Sequence, residues 1–441
     1  MNQRMASVVA RASNAWVQRG FWRTSRRALL MLTTAILLVL ASCGQTGEMA
    51  LDRLQLGPAA SSGSSAVAIR RHHDQMIAAA TAHRQLVLRE AANWYLSRMS
   101  LDEQLGQMVL NESDGTVYSP DMAVMVERQH IGGLILFADN YGTFDQTVQL
   151  FQNVQSHARI PLFIATDQEG GGITRISQYF GSFPSPRELA IEGSLQNTFD
   201  WGRRTALDLQ QLGINTNFAP VVDVSVNGGE PWSATRTFSE DPAVVAQYAA
   251  AFMAGEQSVG EVTALKHFPG LGSITLDPHK TLPVVDRTWD QLYATELYPY
   301  RALIPQLPDM IMATDILVPA VDPVLPAELS PAWINGILRQ KMGYDGVVIT
   351  DALWMKGISD QWSLGQAAVM AVQAGSDIMI AAYSAYSNQT VLDALNAAIA
   401  SGQITRARIA QSVQRILMLK IKYGLLPIPP SIASTLPVVE S

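Results

Sequence analysis

Apolar residues gather in eight short runs, at 107–110, 133–137, 162–166, 216–221, 262–266, 310–314, 347–350 and 377–381, with helical or loop-like stretches between them. The runs are nearly continuous in apolar character instead of alternating, which is the pattern of strands covered on both faces. Strands of that kind joined by helices make right-handed βαβ crossovers, and eight such units predict an α/β fold, a single-domain (β/α)8 TIM-type barrel. Several runs end in a polar residue: Asp167, Asp223, Lys266-His267, Asp315 and Asp351. The C-terminal strand ends of a barrel form one mouth, so these side chains are expected to converge although they lie far apart in the chain. A doubly wound open sheet is the rival fold. Its phosphate loop is not seen, because Glu169-Gly170-Gly171-Gly172 lacks the required spacing. Glycines there predict a sharp turn or a close approach of backbone.

Ahead of the first run the pattern changes. Residues 28–42 (ALLMLTTAILLVLAS) are uncharged and mostly apolar behind an Arg-bearing stretch, and at 15 residues they are short for a membrane span. They predict a signal peptide over 1–42. The chain's one cysteine, Cys43, closes Leu40-Ala41-Ser42-Cys43, which resembles the lipobox of bacterial lipoproteins, so lipidation at Cys43 and export to the membrane surface are expected. Ser25-Arg26-Arg27 also resembles a twin-arginine export signal. Residues 43–70, with their Gly/Ser tract, predict a flexible tether. Helical spacing of Met76, Ile77, Leu86, Leu88, Trp94 and Leu96 predicts a leading helix over 74–99, and Ser100-Leu101-Asp102-Glu103 predicts a capping box opening the next. The barrel domain is placed at 71–428, followed by a tail at 429–441.

Composition narrows the partners. With 48% hydrophobic and 16% charged residues, the 441-residue chain can bury a large core. Its net charge is -7, but all six basic residues before Cys43 are Arg, and without them 25 basic face 38 acidic residues, a net of -13. So acidic a body argues against nucleic acid, which is held by Lys and Arg. No cofactor or metal is called for. The body has no cysteine for an internal disulfide, and a monomer is expected.

Five stretches carry a resemblance. Asp167-Gln168-Glu169-Gly170-Gly171-Gly172-Ile173-Thr174-Arg175, Asn217-Phe218-Ala219-Pro220-Val221-Val222-Asp223-Val224 and Arg236-Thr237-Phe238-Ser239-Glu240-Asp241-Pro242 resemble three signatures of glycoside hydrolase family 3. Lys266-His267-Phe268-Pro269-Gly270 with Asp277-Pro278-His279, and Gly343-Tyr344-Asp345-Gly346-Val347-Val348-Ile349-Thr350-Asp351, resemble two more. Their order over about 90–425 is similar to that of the single-domain β-N-acetylhexosaminidase branch. The resemblance implies that Asp351 is the nucleophile, that His279 on a mobile loop is the acid/base assisted by Asp277, and that Asp167, Arg175, Arg236, Lys266 and His267 hold the non-reducing sugar. Many β-glucosidases of the family carry a further domain supplying a Glu acid/base, whereas this chain ends at residue 441, which favours the hexosaminidase branch.

The chemistry of these residue types agrees. Retaining glycoside hydrolysis needs a carboxylate nucleophile and a proton donor that later acts as a base. A His serves as that donor because its ordinary pKa of ~6.5 lies near working pH, and an Asp two residues away can orient it. An acid at 167 can accept from adjacent hydroxyls beside charged donors at 175, 236 and 266. Trp232 and Trp354 are candidates for stacking on a sugar, or for core filling. Glu169 is the second choice of proton donor. Three positions depart from the branch: Leu271 and Asp315 stand where His is usual, and Pro278 where Ser is usual. They bear on substrate choice, acetamido recognition above all. The expectation is a retaining β-N-acetylhexosaminidase acting on carbohydrate such as cell-wall fragments. The alternatives are a β-glucosidase or β-xylosidase, or a non-catalytic glycan-binding surface lipoprotein.

Overall fold

The computed structural model describes residues 63–226, 235–274 and 280–434. The signal segment, Cys43, Trp232, Asp277, Pro278 and His279 lie outside the described residues. The chain divides into a small unit, 1–81 with 437–441, and a large one, 82–436. What is described of the small unit belongs to the helix Gly63–Leu96. The tether expected to run to residue 70 is therefore helical from Gly63 onward. From Ala66 the residues are Ala, Val, Ile, Arg and His, none of which breaks a helix, and the Gly/Ser tract ends before them.

The large unit is a closed barrel of eight parallel strands in chain order, β1 Val109–Asn111, β2 Gly133–Leu136, β3 Phe163–Thr166, β4 Thr216–Asn217, β5 Val262–Phe268, β6 Met310–Ala313, β7 Val347–Ala352 and β8 Ile378–Ala382. Closure comes from β1 pairing with β8, with Leu110 opposite Ile380. Each apolar run holds one strand. The largest difference is β4, expected over 216–221 but regular only at Thr216 and Asn217. Pro220 has no N–H to give to a ladder, and beyond it only a single bridge, Val221 to Lys266, continues the pairing. The capping box at Ser100 forms as expected, with Glu103 N donating to Ser100 Oγ and Ser100 N to Glu103 Oε2.

Near-continuous apolar runs are explained by which core each residue joins. Phe163 and Ala165, Val262 and Ala264, Met310 and Met312, Val347 and Ile349, and Ile378 and Ile380 all join one cluster. Their neighbours Ile164, Leu265, Ile311 and Val348 join two others under the surrounding helices. Alternate residues thus face the barrel interior and its helical coat, and both sets must be apolar.

The N-terminal ends of the strands are closed by ionic groups. Lys420, on helix Arg406–Lys422, is fully buried and donates to Gln107 Oε1 at 2.7 Å and to the Gly132 carbonyl at 3.0 Å. Burial pushes its pKa down to about 7. Asp377, at the foot of β8, accepts from Arg339 Nη2 at 2.5 Å, Ser412 Oγ at 2.5 Å, the Val348 amide at 3.1 Å and Arg415 Nη1 at 3.3 Å. Burial alone would raise the Asp377 pKa, but Arg339, Arg415 and Arg408 outweigh it and hold the carboxyl below its ordinary value.

Removing Asp377 leaves these arginines without their shared anion, so Asp377→Ala is expected to cost about 3–5 kcal/mol of stability in urea unfolding at pH 7. A depressed folded-state pKa means that this stabilisation is complete above the unfolded value of ~4 and is lost as pH falls through the folded one. The gap between wild type and variant should therefore close in acid. A gap independent of pH would refute the ionic account.

Candidate active site

At the end of β3 the chain turns sharply, and glycine makes the turn possible. Gly170 has φ of +92°, and a Cβ there would lie 2.1 Å from the Pro184 carbonyl oxygen. The close approach is to the protein's own backbone. Gln168 ties the loop down: its Oε1 accepts from the Arg175 amide at 2.8 Å, and its backbone pairs with the Asn217 side chain through bonds of 2.9 and 3.0 Å. This brings Asp167, Glu169 and Arg175 to one side of the mouth.

From β5, Lys266 reaches into the same place. It is buried, with Nζ 2.5 Å from Asp167 Oδ1 and 2.8 Å from Glu169 Oε1. Arg236 grips the other side of Glu169 in a bidentate pair, Nε to Oε2 at 2.7 Å and Nη2 to Oε1 at 2.6 Å. Burial would raise the Glu169 pKa, yet Arg236 and Lys266 overcome it and hold the carboxyl far below the usual range. Burial likewise lowers the Lys266 pKa, but Asp167 and Glu169 outweigh it and the net shift is upward. Glu169 is thus an ionised strut. As the second choice of proton donor it is ruled out, because it keeps no proton to give near neutral pH.

His267 follows Lys266 through a cis peptide and stands beside Arg236. Its Nδ1 is 2.7 Å from Asp223 Oδ2, and Asp223 Oδ1 also accepts from the amides of Leu271 at 2.8 Å and His267 at 3.2 Å. Burial pushes the Asp223 pKa up, but His267 and the two amides reverse the shift, so this acid stays ionised. With Nδ1 donating to Asp223, a neutral His267 ring has Nε2 as an acceptor, and Arg236 Nη2 lies 3.4 Å from it.

Asp351 ends the apolar stretch of β7 and is half-buried. One of its oxygens, Oδ2, accepts from Thr314 Oγ1 at 2.9 Å, and Oδ1 accepts from the Ala352 amide at 2.9 Å. Thr314 Oγ1 also lies 3.3 Å from Asp315 Oδ1. A hydroxyl has one hydrogen, so it can donate to one of these two carboxyls at a time. Asp315 and Glu328 are fully buried beside the nucleophile candidate. Gly357 packs against Asp315, where a Cβ would fall 2.1 Å from Oδ2. Burial, together with the charges of Asp315 and Asp351, pushes the Glu328 pKa well up.

Six of the predicted residues, Asp167, Arg175, Arg236, Lys266, His267 and Asp351, line one cavity of about 300 Å³. Glu112, Leu271 and Trp354 also line it. Arg175 lies over the Phe137 ring at 5.9 Å, and its buried Nε has no hydrogen-bond partner among the described residues. Leu271, where the branch usually has His, makes its part of the wall apolar. Asp315, expected at the rim, is instead fully buried, with its carboxyl packed against Gly357. Where Asp277 and His279 stand relative to Asp351 lies outside the described residues. Sequence reasoning missed the strut role of Glu169, the Asp223–His267 pair, Thr314 and Glu328. Asp223 and His267 each had a signal, as polar residues closing apolar runs.

Comparison with known proteins agrees with this geometry. Residues 100–419 match the family model described as the glycosyl hydrolase family 3 N terminal domain. The chain is 33% identical over 335 residues to beta-hexosaminidase A of Pseudoalteromonas piscicida, covering 70% of this chain and 56% of that protein. It is 33% identical over 308 residues to a beta-hexosaminidase of Idiomarina loihiensis, covering 69% and 90%. A solved family 3 beta-N-acetylglucosaminidase from a Paenibacillus species superposes with a TM-score of 0.72 at 36% identity, covering 74% of this chain and 63% of that one. The matched region thus spans little over half of the first relative, and nearly all of the second. A barrel with this mouth, matched over most of its length, belongs to glycosyl hydrolase family 3.

Proposed function

We propose that the protein is a retaining β-N-acetylhexosaminidase that removes terminal N-acetylglucosamine from glycans such as cell-wall fragments. The observation that carries this reading is the shared cavity, in which a carboxylate positioned by hydrogen bonds, Asp351, faces a charged cradle of Asp167, Arg175, Lys266 and His267. Its volume of about 300 Å³ is at the small end for ligand pockets and suits one sugar ring. The apolar patch of Ile135, Met312, Leu271 and Ile380 in its wall offers a surface to an acetamido methyl group.

In the first displacement Asp351 attacks the anomeric carbon, the bond to the leaving oxygen breaks, and that oxygen takes a proton from His279. In the second, His279 withdraws a proton from water, whose oxygen displaces the Asp351 ester and restores the starting anomeric configuration. Asp277 holds the imidazole and stabilises its charged form. We further propose that residues 1–42 are removed and that lipid on Cys43 holds the barrel at the outer face of a membrane. The relatives named beta-hexosaminidase support the sugar, and the lipobox-like Leu40-Ala41-Ser42-Cys43 supports the anchor.

Aryl glycosides differing only at C2 give the first test: N-acetylglucosaminide should be hydrolysed faster than glucoside or xyloside. Asp351→Ala should lower kcat on it by about 10⁴-fold or more, and a slow 2-fluoro glycosyl donor should label the peptide bearing Asp351. Labelling of another carboxylate would overturn the assignment.

For His279 the leaving group is the probe. His279→Ala should lose about 10²–10⁴-fold on natural disaccharides while keeping glycosylation by aryl glycosides whose leaving groups need no proton. An equal defect across leaving groups would make His279 a positioning residue instead.

The anchor is checked by fractionation. Wild type should sediment with membranes and Cys43→Ser should be released or remain unprocessed. Soluble wild type still carrying residues 1–42 would refute it.

A further inference from the structure

Two tyrosines stand at the mouth of the barrel with most of their surface in water. Tyr383 directly follows β8 and is 54% exposed, and Tyr386, in the first turn of helix Ala385–Ala400, is 84% exposed. Single exposed aromatics need no explanation, but these two have a setting that does. The backbone that carries them is held from several sides. The Asp121 carboxylate accepts from the Ala385 amide at 3.0 Å, Gln129 Nε2 donates to the Ala385 carbonyl at 2.9 Å, and Ser387 Oγ accepts from the amides of Tyr383 at 3.1 Å and Ser384 at 3.0 Å. Gln129 is in turn held by Asn388 Nδ2 at 2.8 Å. A loop fixed in this way presents its rings at a set place.

That place is continuous with the cavity. The Tyr383 ring meets Trp354 edge to face, with centroids 6.3 Å apart at 85°, and Trp354 is itself part of the cavity wall three residues after Asp351. Ile380, three residues before Tyr383, lines the cavity as well. Trp354 and Tyr383 therefore make an aromatic pair that runs from beside the nucleophile candidate toward solvent, and exposed Tyr386 follows three residues along the chain.

We propose that Trp354, Tyr383 and Tyr386 form a stacking platform for the sugar rings on the leaving-group side of the scissile bond, so that the protein acts on glycan chains of several residues. This rests on the exo-acting reading above. The ring to be released fills the cavity under Asp351, and the remaining chain must leave by the mouth. Pyranose rings carry apolar C–H faces and polar edges, so an aromatic face covers the former while the hydroxyls stay in water. The row needs no charge to bind a neutral chain.

The test uses the full chain on an aryl N-acetylglucosaminide and on β-1,4-linked N-acetylglucosamine oligomers of two to five rings. In wild type kcat/KM should rise with oligomer length. In Tyr383→Ala and Tyr386→Ala the ratio of pentamer to aryl-glycoside kcat/KM should fall by about three- to tenfold, chiefly through KM, while the Tyr→Phe variants keep the wild-type ratio. An unchanged ratio overturns the platform, and so does an equal loss in the Phe variants, which would mean a hydroxyl contact. A concentration-dependent dimer abolished by the Ala variants would assign the tyrosines to a second copy of the chain and also overturn it. If wild type hydrolyses none of these substrates, the exo-hexosaminidase reading has failed, and binding decides the platform separately. Titrating wild type with the pentamer should then change tryptophan emission, with three- to tenfold weaker binding in the Ala variants, and equal binding counts against it.

Discussion

A fully buried ammonium holds one half of this mouth together. Lys266 sits between two carboxylates from the β3 loop, and the farther of them, Glu169, is clamped again by Arg236. Each of these ions would be costly alone in the interior, so their stability is mutual. The consequence is orientation. Asp167 can turn toward a ligand because Glu169 satisfies the rest of the positive charge, and His267 is aimed because Asp223 and Arg236 hold its two ring nitrogens. Taking out one member would leave its partner charged and unpaired, which is why such a cradle is rigid before any ligand arrives.

The other half of the mouth works by the opposite means. Around Asp351 lie the acids Asp315 and Glu328, and no cation among the described residues is bonded to its carboxylate. Thr314 and the Ala352 amide supply its hydrogen bonds, and burial pushes the Glu328 pKa well up. A nucleophile held by neutral donors keeps its charge density, whereas one paired with Lys or Arg would lose reactivity to the ion pair. The cavity therefore has one wall rich in cations and another rich in acids.

Both halves hang on a barrel whose parallel strands bring their C-terminal ends together. Ionic groups are used twice, at opposite ends, for different purposes. At the foot of the strands, Asp377 and its arginines fasten β7 and β8 to the outer helices. At the mouth, the same kind of pairing surrounds space.

The barrel was legible in the chain because a strand buried on both faces must be apolar at nearly every position, and eight such runs leave few folds open. The polar ends of those runs, Asp167, Lys266-His267 and Asp351, were legible for the same reason, since a charged residue closing a buried strand marks where the barrel meets solvent. Tertiary structure alone decided what each acid does. Glu169 and Glu328 are the same residue type and both are buried. Arg236 and Lys266 hold the carboxyl of one far below its usual range, while burial with the charges of Asp315 and Asp351 pushes the other well up. These partners lie elsewhere in the chain, and a carboxyl's charge state depends on the groups within a few ångströms, which spacing along the sequence does not reveal.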